Sequence, residues 1–167
     1  KLNKENFKDN LKLISALHEM YPNDPDVMEA YIGYMMIGSK ITQDKSVYPL
    51  IDDAMDRSLG QSFKVDRLQV FKDILNEKLE STKQTLDKLD QLYPKEAELA
   101  YYYAAYYWKQ GDRSMANNYL DKAIGLSANC SYCVPSIYHD TKQRIKTAKT
   151  GDQNLFSLSI GLNFENL

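Results

Sequence analysis

Turn-forming residues are scarce in this chain of 167 residues, which has seven glycines and five prolines. Its hydrophobic runs are short and periodic, so a many-stranded β fold is disfavoured and helices are expected. No apolar run approaches the roughly 20 residues needed to span a bilayer, which excludes a transmembrane segment. Charge of one sign is also lacking. The formal net charge of -2 supplies no general reason to bind nucleic acid or an anionic membrane. The local cluster Lys142, Arg144, Lys146 and Lys149 reads as the solvated face of a helix.

Catalytic constellations are missing as well. The sequence contains no Gly-rich phosphate loop and no metal-ligand spacing. Its two histidines form no triad: His18 lies on the Leu17 side of a helix, and His139 has no Ser or Cys nucleophile beside it. Asp52, Asp53 and Asp56 are explained by a solvated acidic helix face. An enzyme is therefore not expected, and neither is a cofactor.

Cysteine is limited to Cys130 and Cys133, in NCSYCV. A zinc site needs four ligands, and His139 is the only nearby addition. A c-type haem would need histidine where Val134 stands, and a thioredoxin-like couple would need a βαβ setting. Two loop thiols able to form a short-loop disulfide remain. The chain starts at Lys1 without a methionine, so an export signal or lipid attachment site would lie upstream. With the cysteine pair, this leans towards an exported periplasmic or cell-surface chain, with the cytoplasm as the alternative.

What is present is helical periodicity. The length suits one domain with a substantial core. Phe7, Leu11, Ile14, Leu17 and Met20 form one stripe, ended at Tyr21-Pro22. Asn23, Asp24 and Pro25 then start a helix to about Ile37, closed by Gly38 as a C-cap. A helix from Val47 to Leu59 ends at Gly60. No glycine or proline interrupts Val65 to Tyr93, which predicts one long helix, or two meeting near Glu80 and Ser81. Two further helices follow, with a turn at Gln110, Gly111 and Asp112. Val134-Pro135 begins the last. The period then changes to two, with Phe156, Leu158, Ile160, Leu162 and Phe164 alternating with polar or small residues, a strand signal that needs a pairing partner. Six or seven helices are expected over residues 1–151, with a β-prone tail over 152–167.

Two segments look alike: MYPNDPDVMEAYIGYMMIG from Met20 and LYPKEAELAYYYAAYYWKQG from Leu92. Gly38 and Gly111 are about two units of a thirty-odd-residue repeat apart, the mark of stacked helical pairs. In the second segment Ala104, Tyr107, Gly111-Asp112, Ala116, Leu120 and Ala123 stand at the small, aromatic, turn and large apolar positions of a tetratricopeptide repeat (TPR), and the segment resembles that family. Ala100 and Ala128 depart from its commonest tryptophan and closing proline. In the first segment Tyr34 and Gly38 match, and Ala54 matches only with a longer turn. The element between them matches poorly.

The resemblance implies an all-α, α-α superhelix of TPR-like hairpins whose first helices line a concave face. That face would carry Glu98, Tyr101, Tyr102, Ala105, Trp108 and Lys109, together with Met28, Glu29, Ile32, Met35 and Met36. Alternatively, neighbouring helices or the tail cover it. An exposed face implies a non-catalytic adaptor or scaffold holding a protein or peptide segment by apolar and aromatic contacts. Two other readings stay open. One is glycan or small-ligand binding by the same rings. The other is a structural or oligomeric role in which the tail strand joins a partner or a second copy.

Overall fold

The computed structural model describes residues 4–42, 46, 48–75, 78–130, 133, 135–149 and 155–156. Among these residues the chain is all-α, with nine helical segments. The contacts divide it into two compact units, one within Lys1–Lys72 and the other within Asp73–Leu158. The alternating tail beyond Phe156 lies outside the described residues.

The first unit begins with α1 (Lys4–Met20) and α2 (Pro25–Thr42), which pack against each other. The Asp24 carboxylate caps α2, accepting from the amides of Asp26 at 2.9 Å and Val27 at 3.1 Å. The α1 stripe is only partly used, because Phe7 is buried while Leu17 and Met20 remain exposed. Phe7 stacks on Tyr34 with centroids 5.1 Å apart, and His18 stacks on Tyr31 at 4.5 Å.

Gly38 corrects the C-cap expectation, because α2 runs through it to Thr42. An added Cβ would meet Phe7 Cζ at 1.8 Å and Cε2 at 1.9 Å. Glycine is present because the Phe7 ring lies against the α2 backbone, and the helix continues past it. Gly60, by contrast, has φ +79 after α3 (Tyr48–Ser58) and does end its helix.

The predicted long helix is also corrected. It is divided into α4 (Phe63–Asp66), α5 (Leu68–Leu75) and α6 (Leu79–Leu92), with the unit boundary falling inside α5. This division raises the helix number above the six or seven expected. Lys78 leaves the helical region at φ -90, ψ 71. The physical reason lies at Asp73, whose buried carboxylate accepts from Thr85 Oγ1 at 2.7 Å. On one continuous helix those residues would be about 18 Å apart along the axis. Folding back satisfies the buried carboxylate, and this outweighs local helix propensity.

The core of the first unit is Ile32, Met35 and Met36 from α2, with Ile51, Ala54, Val65 and Leu68 from the helices that follow. Ion pairs join its elements: Arg67 with Glu29, largely buried, Lys64 with Asp26, and Lys72 with Asp52.

In the second unit α6 packs on α7 (Ala97–Lys109), α7 on α8 (Arg113–Ser127), and α8 on α9 (Pro135–Arg144). The α7–α8 turn follows from its sequence. Gly111 takes φ +81 and donates to Trp108 O at 3.0 Å, while Asp112 N donates to Tyr107 O at 2.9 Å. These two bonds make a Schellman motif. Asp112 then caps α8 by accepting from Met115 N at 2.9 Å. Ala104, Ala116, Leu120 and Ala123 are fully buried, so the small residues expected to permit close helix approach are enclosed in this unit. Cys130 and Cys133 are disulfide-bonded in the connection between α8 and α9.

Candidate functional site

The residues assigned to a concave face fall into two sets. Met28, Ile32, Met35 and Met36 lie on α2 in the first unit; Glu98, Tyr101, Tyr102, Ala105, Trp108 and Lys109 lie on α7 in the second. The four α2 side chains are all buried. On α7, Tyr101, Tyr102, Ala105 and Trp108 are buried, Glu98 is half-buried, and Lys109 is exposed. Trp108 and Tyr102 retain only 2% of their surface, so an open aromatic face on these rings is not what the fold presents.

Other parts of the same unit cover the α7 rings. The Tyr101 ring lies 5.2 Å from that of Tyr138 on α9 and 5.3 Å from that of Phe156. Trp108 lies 6.4 Å from Phe156. All three pairs are tilted by 48–49°, within the range where ring edges meet ring faces. Leu155 beside them is buried, and Phe156 is half-buried. The start of the C-terminal tail is therefore part of the cover, in keeping with the alternative that neighbouring helices or the tail close this face.

Polar contacts hold the walls in place. The Thr141 hydroxyl donates to Ile137 O at 2.8 Å, which leaves its oxygen to accept from Tyr101 OH at 3.2 Å. Arg113 donates to the carbonyl of Ile145, just past α9, and its guanidinium lies 5.9 Å from the Trp108 ring. Lys142 on α9 reaches Asp121 on α8 at 2.8 Å. Tyr102 OH donates to the Glu98 carboxylate one turn earlier, so both residues serve the helix itself.

A different side of the unit carries stacked tyrosines that the sequence reading did not single out as exposed. Tyr119 stacks on Tyr103 at 4.7 Å and on Tyr107 at 5.4 Å. Tyr106, Tyr107 and Tyr119 are half-buried. Tyr103 OH donates to Asp87 at 2.7 Å, and Lys83 reaches the same carboxylate at 2.6 Å. Burial, reinforced by the Asp87 hydrogen bond, pushes the Tyr103 phenol upward, so it acts as a hydrogen-bond donor and not as a base at neutral pH. Burial pushes the Asp87 carboxyl up, but hydrogen bonds from Lys83 and Tyr103 and the Lys83 charge together carry it below its usual range. Lys83 moves up in turn, chiefly through its hydrogen bond to Asp87. These shifts belong to a satisfied ion pair and its tyrosine donor.

Among the described residues no group of three or more His, Cys, Asp or Glu side chains could hold a metal ion. Among the same residues no helix is long and apolar enough to cross a membrane. No family model matches the chain, and no curated protein or solved structure matches it.

Proposed function

We propose that this chain is a non-catalytic protein-interaction module that holds an apolar, aromatic segment of a protein partner against α7 and α9. The observation carrying this reading is the Leu155–Phe156 pair, a short apolar segment whose Phe156 ring lies against Tyr101 and Trp108, with Tyr138 of α9 on the same Tyr101 ring. A surface that accommodates one such segment has the chemistry to accept another: tilted rings, apolar walls and a few fixed polar groups. The α7–α8 hairpin, with buried alanines and a glycine turn, supports a TPR-like scaffold for that surface. An α-α superhelix of such hairpins is the architecture this implies. The α2 segment supports repetition less well, because Gly38 sits inside its helix where Gly111 makes a turn.

The glycan reading needs exposed rings at Tyr102 and Trp108, and their burial leaves it without that support. The reading through a tail strand concerns residues outside those described.

Selection of random displayed peptides on the immobilised full chain tests the proposal. Recovered sequences should be enriched in an aliphatic–aromatic pair, and their binding should alter the emission of Trp108, the only tryptophan. Failure to recover any such sequence from wild type or from Phe156→Ala would sink the reading.

A further inference from the structure

We infer that Leu155–Phe156 is a resident intramolecular ligand of the α7–α9 seat, and that a partner segment of leucine–phenylalanine character enters by displacing it. This deepens the function proposed above and rests on it. Three observations carry the inference. The pair is not buried evenly: Leu155 is enclosed, whereas Phe156 is only half-buried while its ring contacts Tyr101 and Trp108. Phe156 therefore lies over the seat and is not enclosed within the core.

The polar bonds described for the walls do not use the pair. Tyr101 is tied to Thr141, and Arg113 to Ile145 O and the face of Trp108. Those bonds can persist when the pair leaves. Finally, the floor is made of large aromatic surface, Tyr101 and Trp108, which water would solvate poorly if it were left bare. The seat thus favours an occupant at all times, and the attached segment supplies one when no partner is bound.

An attached segment competes as an intramolecular ligand, at an effective concentration in the mM range for a short connection. An incoming segment then binds with an affinity reduced by the fraction of molecules whose seat is open. If the seat is open in about a tenth of molecules or fewer, the penalty is about tenfold or more. Regulation follows: anything that withdraws Phe156 raises the affinity for the partner without altering the seat.

The test uses the full chain as wild type, Phe156→Ala and Phe156→Leu, titrated with a synthetic peptide carrying residues 153–158. Trp108 emission and its quenching by acrylamide are the readouts. In Phe156→Ala the emission should move to the red and quenching should rise, and the peptide should reverse both. Wild type should bind the peptide about tenfold more weakly or worse, with Phe156→Leu between the two. Circular dichroism separates emptying of the seat from unfolding, and Phe156→Leu carries the comparison if Phe156→Ala loses helix. Unchanged Trp108 emission and quenching in both variants would overturn the inference. Equal peptide affinity in all three proteins would also overturn it, while leaving segment binding intact. If neither this peptide nor any display-selected sequence binds any of the three, the functional reading falls as well.

Discussion

Replacing Gly38 by alanine sets helix propensity against packing, and the structure says which wins. Gly38 lies inside α2, where alanine is intrinsically preferred by about 0.8–1 kcal/mol. The new Cβ would sit 1.8 Å from Phe7 Cζ, so the ring must retreat by roughly 1.5–2 Å to reach ordinary carbon contact. Phe7 is buried and stacked on Tyr34. A shift of that size forfeits the stack, worth about 0.5–1.5 kcal/mol. It also uncovers ring surface whose full burial is worth about 1.5–3 kcal/mol. The net expectation is a loss of about 1–3.5 kcal/mol. In a Phe7→Ala background the obstruction is gone, and the same substitution should stabilise by nearly the full propensity term. Urea denaturation followed by circular dichroism measures both effects. Hydrogen exchange of the α1 and α2 amides localises them, because a chain of two compact units need not unfold in one step. Equal or greater stability of Gly38→Ala in the otherwise wild-type chain would refute the packing account. So would a change of the same sign in both backgrounds.

Two further predictions concern one unit each. Burial, together with the Arg57 charge and against that of Glu19, holds the His18 imidazole below its ordinary value of 6.5. Its Nδ1 is buried without a hydrogen-bond partner. The unfolded chain therefore takes up the proton first. The resulting stabilisation is complete above about pH 6.5 and declines as the pH falls below it. The urea midpoint of α1–α2 exchange should drop on acidification from about pH 7.5 to about 5.5, and His18→Gln should flatten that slope; an identical slope in the variant would count against the assignment. In the second unit, Ala116→Leu should overpack the hairpin and cost about 1–3 kcal/mol by urea denaturation read through Trp108. The exposed control Asn118→Leu should stay within about 0.5 kcal/mol.

The legible parts of the fold were those governed by local rules. Asp24-Pro25 announces the start of α2, and Gly111-Asp112 announces the α7–α8 turn, because capping and positive φ depend on a few adjacent residues. The small residues Ala104, Ala116 and Ala123 could be recognised as contact positions and are buried. Gly38 shows the limit of such rules. Glycine before a polar stretch reads as a helix end, but here it accommodates a ring from a different helix, and nothing adjacent in sequence signals that. The break before α6 is legible only as the alternative of two helices meeting near Glu80 and Ser81, for a related reason. Lys78 carries no breaking signal of its own, and Asp73 finds Thr85 only once the chain has turned back.

From sequence alone came the all-α class, most helix boundaries, the hairpin turn and the aromatic character of α7, all set by periodicity and neighbouring residues. Which side of α7 is covered was decided by tertiary structure. The family resemblance sets Tyr101, Tyr102 and Trp108 on a face that is either open or covered; they are buried, with Tyr138 of α9 and Phe156 against Tyr101, and Phe156 against Trp108. A helix has the same period whether its aromatic side meets water, a partner or its own chain. Burial is a property of what packs against that side, and residues distant in sequence supply it.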